Sequence, residues 1–239
     1  MKLAIVVPAY NAGRHLPEVL RRIAALQPAE LLRTIVVDDG SQDDTARVAE
    51  ELAKSMAALE VVVRPRNGGY GAAMKTGLQR ARALGADHAA CVHADGQYSP
   101  EALPALLSAL VSRKLDLLQG SRIAGGQARA GGMPLYKLAG NWVLGHLERR
   151  ILGLPMTDLH SGYLVYGPRA LGELPFARLS DSFDFDLEVI ASARACGLAV
   201  GEAPIPTHYG DEISYLNPLI YGLRVLRVLW QFKRGNYGV

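Results

Sequence analysis

The chain has 239 residues, 49% of them hydrophobic and 21% charged, with a formal net charge of +3 at pH 7. That length buries a sizeable core in one domain, or one domain with a small appendage, and the composition excludes both wholesale disorder and an integral membrane protein. So small a charge excludes the strongly basic profile of a nucleic-acid binder, and two cysteines, Cys91 and Cys196, suggest neither a disulfide framework nor a cysteine-built zinc site, which points to a cytoplasmic protein.

The opening MKLAIVVPAYN has an apolar run that stops at Pro8, too short for the central region of a signal peptide, and it reads as a buried first strand. No uncharged apolar stretch is long enough to cross a bilayer. Strands are predicted at 3–8, 34–38, 59–63, 88–93 and 116–121, with four helices between them. Continuous apolar strands alternating with helices imply an α/β, Rossmann-like, mostly parallel sheet with helices on both faces and ligands at the carboxyl ends of the strands. A glycine- and alanine-rich loop around Arg129, spanning 125–132, is expected to be mobile, and a helix follows over 135–152. Then come a strand at 162–167, a helix from Phe185 to Cys196 and the run AVGEAPIPTHYG at 199–210.

Residues 1–210 are therefore expected to form one domain and 211–239 a helical extension. Leu219, Leu223, Leu226, Leu229 and Trp230 recur at helical spacing with Arg224, Arg227, Lys233 and Arg234 among or after them, the pattern of a basic amphipathic helix. Such a helix packs on the domain or on a second copy in a homo-oligomer, or it lies on a membrane surface.

Site candidates fall at the predicted strand ends. Pro8, Ala9, Tyr10 and Asn11 follow the first strand, where a dinucleotide-binding enzyme would need GxGxxG, and that spacing is absent. Tyr10 suits stacking on a nucleobase or plain packing. Asp38 and Asp39, before Gly40 and Ser41, suit acceptance of hydrogen bonds from a base or a ribose hydroxyl, while Ser41 and Asp43 are also good helix N-caps. RPRNGGYGAAMKTG at 64–77, with Gly69 in it, brings backbone amides near a ligand or makes a simple turn, and it lacks the P-loop spacing. HADGQYSP at 93–100 places His93, Asp95 and Gln97 in alternation after the fourth strand, a set suited to a Mg²⁺ or Mn²⁺ ion bridging two phosphates. The alternative for Asp95 is capping of a helix begun at Pro100.

Taken together, VVPAYN, VVDDGS, NGGYGAA, HADGQYSPE and QGSR, in this order, resemble the inverting family-2 glycosyltransferases of GT-A fold, and within them the branch of dolichyl- and polyprenyl-phosphate sugar synthases. The resemblance covers residues 1 to about 210. It implies that Pro8, Tyr10 and Asp39 contact the nucleoside of a nucleotide-diphosphate sugar, that Asp95 with Gln97 binds the metal, and that Arg122 and Lys137 neutralise phosphates on either side of a lid. Where the family begins its metal motif with aspartate this chain has His93, a borderline ligand that favours Mn²⁺ over Mg²⁺. The run THYGDEISYL, with His208, Tyr209, Asp211 and Glu212, departs from the basic residues that the lipid-phosphate branch often carries there.

DLHSGYLVY at 158–166 and DSFDFDLEV at 181–189 look like the acceptor side, with Asp184 and Asp186 as catalytic candidates or members of a charged first helical turn. The expected reaction inverts the anomeric carbon. Its acceptor is a polyprenyl phosphate reached from the inner face of the cell membrane, or a soluble or glycan hydroxyl. A nucleotidyltransferase and a catalytically silent sugar-nucleotide binding module are the other readings.

Overall fold

The structure is a computed structural model that describes residues 1–28, 30–125, 135–206 and 218–238, the side chains of 135–143 and 218 excepted. Residues 126–134, with most of the glycine-rich loop and Arg129, and residues 207–217, with His208, Tyr209, Asp211 and Glu212, lie outside the described residues, as does the side chain of Lys137.

Among the described residues seven strands form one sheet: β1 (Leu3–Ala9), β2 (Leu31–Asp38), β3 (Leu59–Val63), β4 (His88–Cys91), β5 (Leu117–Ser121), β6 (Leu164–Tyr166) and β7 (Val200–Pro204). Their order is β3-β2-β1-β4-β6-β5-β7. All pairings are parallel except those of β6, which runs antiparallel to both β4 and β5. Neither that reversal nor the insertion of β6 between β4 and β5 follows from the residue pattern, because a three-residue buried strand looks the same in either direction.

The strands read as unbroken apolar runs because both faces are covered. Along β1, Ala4 and Val6 enter one core cluster while Leu3, Ile5 and Val7 enter the other, the alternation that a pleated strand imposes. One face is covered by α1 (Leu16–Leu26) and α4 (Leu103–Ser112) through Leu16, Val19, Leu20, Ile23, Leu103 and Leu106. The other is covered by α3 (Tyr70–Ala83) through Met74 and Leu78, and by α7 (Phe185–Ala195) through Phe185 and Ile190. The approach of α3 is close: a Cβ on Gly77 would sit 2.2 Å from Val6 Cγ1.

The remaining helices are α2 (Thr45–Ala53), α5 (Leu135–Leu152), α6 (Pro168–Glu173) and α8 (Pro218–Lys233). In α8, Val225, Val228 and Leu229 complete the same core as α3 and α7.

The chain runs outward from β1 to β2 and β3, then returns to lay β4 on the other side of β1. The carboxyl end of β1 is therefore the switch point where open α/β sheets take their ligands.

Candidate active site

Three acidic or polar turns meet at that edge. Ala9 pairs with Asp38 across β1 and β2, and the amide of Asp39 donates to the carbonyl of Ala9 at 2.8 Å. On the other flank Val6 pairs with Cys91, and the amide of Val92 donates to the carbonyl of Val6 at 3.0 Å. Neighbouring strands lie roughly 4.8 Å apart, so the tips of β2 and β4 flank β1 at a separation of roughly 10 Å. Asp39 and Asp95 thus stand on one edge of the sheet, on either side of β1.

Tyr10 is half-buried at the end of β1. Asn11 takes a positive φ of 50° and joins the two turns, its amide donating to Ser41 Oγ at 2.9 Å and its Oδ1 accepting from the Gln42 amide at 2.9 Å. Asp38 is buried; its Oδ2 accepts from the Ser41 amide at 3.3 Å, while Oδ1 has no hydrogen-bond partner. A buried carboxylate oxygen without a partner is costly and marks a place for an incoming donor.

Asp39 is placed differently. Its carboxylate pairs with the Arg64 guanidinium and accepts from the amides of Gly68 and Gly69, at 3.1 and 2.8 Å. The Gly69 amide expected near a ligand is therefore committed to Asp39. The glycines of this motif serve packing: a Cβ on Gly69, at φ +98°, would lie 2.4 Å from the Asp181 carbonyl oxygen, and one on Gly71 would lie 2.3 Å from that of Ser180. The motif seats the start of α3 on the segment that leads into α7.

After β4 the chain turns at Gly96, φ +74°, and Asp95 Oδ1 accepts from the Gln97 amide at 2.9 Å. His93 lies between two aromatic rings, tilted against Tyr70 at 5.3 Å and edge-on to Tyr98 at 4.9 Å, with Nε2 3.4 Å from the Tyr70 hydroxyl. Burial pushes its imidazole below the usual range, against the pull of Asp95 toward the charged form.

Beneath His93 lies Asp186, 7% exposed, with Oδ1 unpartnered. Burial raises its carboxyl to about 7, opposed by a hydrogen bond with Tyr70. His93 and Asp186 converge on Gly162, where a Cβ would stand 2.4 Å from His93 Nε2 and 3.1 Å from Asp186 Oδ2. Only glycine leaves that space open.

Two of the other catalytic candidates, Arg122 and Asp184, prove to be paired. Arg122 donates from Nε and Nη2 to the two oxygens of Asp158, at 2.7 and 2.8 Å, and its amide donates to the same carboxylate at 3.0 Å. Burial alone would raise Asp158; the Arg122 guanidinium and its hydrogen bonds outweigh this and hold it below the usual carboxylate range. Asp184 accepts from Ser180 Oγ at 2.8 Å and from Arg224 of α8 at 3.0 Å. Its position thus binds α8 to the start of α7, while Asp186, two residues on, is buried beside His93 and Gly162. Close by, buried Glu148 of α5 stands 3.2 Å from His160 Nε2, and His160 Nδ1 is 3.0 Å from the Tyr221 hydroxyl of α8.

Reading the sequence passed over Arg64, Tyr70, Gly162 and the Asp158 partner of Arg122. All four fall inside motifs, Arg64 and Tyr70 in RPRNGGYGAAMKTG and Asp158 and Gly162 in DLHSGYLVY, but nothing in the spacing links Arg64 to Asp39, Tyr70 and Gly162 to His93, or Asp158 to Arg122.

The same architecture is found in glucosyl-3-phosphoglycerate synthase from Mycobacterium tuberculosis, solved in complex with Mn²⁺, uridine diphosphate and phosphoglyceric acid. The TM-score is 0.66 at 19% identity, over 97% of this chain and 78% of that one. That likeness shows the fold, which is of the GT-A type. The chain belongs to glycosyl transferase family 2, whose pattern matches residues 4–174.

Its relatives include a UDP-N-acetylglucosamine–dolichyl-phosphate N-acetylglucosaminyltransferase of Methanococcus voltae, 28% identical over 97% of this chain and 96% of that protein. Another is a polyprenol monophosphomannose synthase of Mycolicibacterium smegmatis, 31% identical over 84% of this chain and 75% of that protein.

Proposed function

We propose that this protein transfers a sugar from a nucleoside-diphosphate sugar to a polyprenyl phosphate, with inversion at the anomeric carbon. The observation that carries the reading is the pair of acidic turns, Asp38–Asp39 and Asp95, flanking β1 at the switch point of the sheet. The acceptor class is supported by relatives of near full-length coverage whose names specify dolichyl phosphate and polyprenol. In this reading residues 1–210 carry the chemistry and residues 211–239 serve the acceptor side.

The donor set at Asp95 fits a Mg²⁺ or Mn²⁺ ion shared with a ligand. Among the described residues no three His, Cys, Asp or Glu side chains gather into a metal cage. Such ions are held in phosphate sites by one or two carboxylates, with phosphate and water oxygens completing the shell. Asp95 would hold the ion, with Gln97 and His93 beside it, and a nitrogen from His93 makes Mn²⁺ the better fit. A bound cation supplies neutralisation of the departing diphosphate.

The chain's own residues do the rest. Pro8, Tyr10 and Asn11 border the nucleoside, and Asp38 with Asp39 accepts its hydrogen bonds. Arg122, stiffened by Asp158, and Lys137 offset phosphate charge. An acceptor phosphate is already anionic and needs positioning rather than deprotonation. Asp186, whose carboxyl burial raises to about 7, carries less than a full negative charge at neutral pH and so repels it less than an ordinary aspartate would.

A hydroxyl acceptor is the second reading, favoured by Asp186 itself, because a carboxyl that titrates at about 7 is suited to general-base work. One experiment separates the two. The full chain is screened by thermal shift against nucleoside diphosphates with Mn²⁺ and Mg²⁺, and transfer is then followed to a short-chain prenyl phosphate and to glycan hydroxyls. Binding of a nucleoside diphosphate raises the melting temperature, and Asp95→Ala lowers transfer by about 10²-fold or more while the apo protein melts as before. Asp186→Asn abolishes transfer to a hydroxyl and only weakens transfer to a phosphate. If no nucleoside diphosphate stabilises the chain with either ion, the reading is lost.

A further inference from the structure

Helix α8 has two working faces. Its inner face carries Val225, Val228 and Leu229 into the core, together with Tyr221 on His160 at 3.0 Å and Arg224 on Asp184 at 3.0 Å. Those two contacts fall beside the site, since His160 follows Asp158, the partner of Arg122, and Asp184 precedes the buried Asp186. The outer face presents Leu223, Leu226 and Trp230, which are 69%, 46% and 53% exposed. At 3.6 residues per turn these three fall in one stripe opposite the buried valines.

The surroundings of the stripe are basic. Arg227, Lys233 and Arg234 are exposed beside it, and the Arg234 guanidinium sits 4.1 Å from the centroid of the Trp230 ring. From Pro218 to Gly238 the sequence contains no aspartate or glutamate. No helix among the described residues is long and apolar enough to cross a membrane. A second copy packed helix against helix would bring together two cationic segments, neither with an acid of its own. A bilayer containing anionic lipid offers an acyl boundary for leucine and tryptophan and phosphates for arginine and lysine.

We propose that the outer face of α8 docks on an anionic lipid surface while its inner face, through Tyr221 and Arg224, holds the acceptor side of the site about one helix diameter from that surface. A helix with its side chains is about 10 Å across, which matches the reach needed for a phosphate at the headgroup level. The purpose of this arrangement rests on the proposed lipid-phosphate acceptor; its test does not.

Co-sedimentation of the full chain is measured with phosphatidylcholine vesicles, with and without phosphatidylglycerol, none of them containing a polyprenyl phosphate. The chain is expected to sediment with phosphatidylglycerol vesicles and about tenfold more weakly with phosphatidylcholine alone. Leu223→Gln with Trp230→Gln is expected to weaken vesicle binding about tenfold, and Lys233→Gln with Arg234→Gln to remove the preference for phosphatidylglycerol. These side chains are exposed, so both variants should melt like the parent and keep their stabilisation by nucleoside diphosphate.

Vesicle binding that is absent in the full chain, or unchanged in both variants, overturns the proposal. So does a leucine–tryptophan variant that keeps its vesicle binding but elutes as a smaller species on sizing, since the face would then belong to a second copy. Loss of transfer with vesicle binding intact counts against the acceptor reading and leaves the docking surface standing.

Discussion

The half of the sheet around β1, β2 and β4 and the half from β5 to α8 differ in how they hold the carboxylates of the candidate site. In the first, carboxylates are held largely by backbone amides: Asp95 by Gln97 at 2.9 Å, Asp43 by Thr45 at 3.0 Å, and Asp39 by Gly68 and Gly69 as well as Arg64. In the second, side chain meets side chain from distant segments: Arg122 with Asp158, His160 with Glu148, Arg224 with Asp184. For Asp95 and Asp43 the amide partner comes with the turn itself, so the oxygens stay close to where the backbone sets them. A buried pair exists only after the tertiary fold has closed, and removing one member strands the other.

The largest expected effect tests that second style. Arg122→Ala leaves the Asp158 side chain, 0% exposed, without its cation, and is expected to lower unfolding stability by about 3 to 5 kcal/mol in urea titration. Replacing both members by apolar residues of similar size should restore most of it. A loss for Arg122→Ala alone as small as that of a surface pair would erase the contrast.

Asp186 supplies the next. Burial raises its pKa from the ordinary 3.8 to about 7, so between those values the folded chain keeps a proton that the unfolded chain has lost. Its contribution to stability is therefore most favourable below pH 4, falls as pH rises toward 7, and stays low above that. Asparagine has no such proton to lose. At pH 8 Asp186→Asn is expected to be more stable than the parent by up to roughly 4 kcal/mol, taking 1.36 kcal/mol per pKa unit, and at pH 4 to differ little. Equal stability at both pH values would mean that the pocket is wetter than its geometry indicates.

The smallest effect lies on the first half. Arg22 and Glu101 form an ion pair with side chains 28% and 50% exposed. The hydrogen bond from Arg22 is the chief reason that the Glu101 carboxyl falls to about 2, so the contribution of the pair is present above the ordinary glutamate range and lost as pH drops toward that value. Because solvent screens it, Glu101→Gln is expected to cost less than about 1 kcal/mol at neutral pH. A cost matching that of Arg122→Ala would show that burial is not what separates the two halves.

The site was legible in the sequence to the extent that backbone made it. Strand ends follow from unbroken apolar runs, and carboxylates placed immediately after them must lie at one edge of a parallel sheet, which makes Asp38, Asp39 and Asp95 candidates. Asp184 and Asp186 were not distinguishable that way. Both sit in the same short acidic stretch, yet one pairs with Arg224 and the other is buried with an unpartnered oxygen. The glycines of NGGYG read equally as a place for a ligand or a simple turn, and Gly69 and Gly71 give clearance to the carbonyls of Asp181 and Ser180.

By itself, then, the residue order determined the α/β alternation, the covered sheet and the acidic turns at its carboxyl edge, because hydrophobic periodicity and turn chemistry act over a few residues. Only the tertiary structure decided the antiparallel entry of β6, the pairing of Arg122 with Asp158 across 36 residues, and the separate fates of Asp184 and Asp186. Those depend on which distant side chains are left to share a buried space once the layers have packed, and no local pattern encodes that.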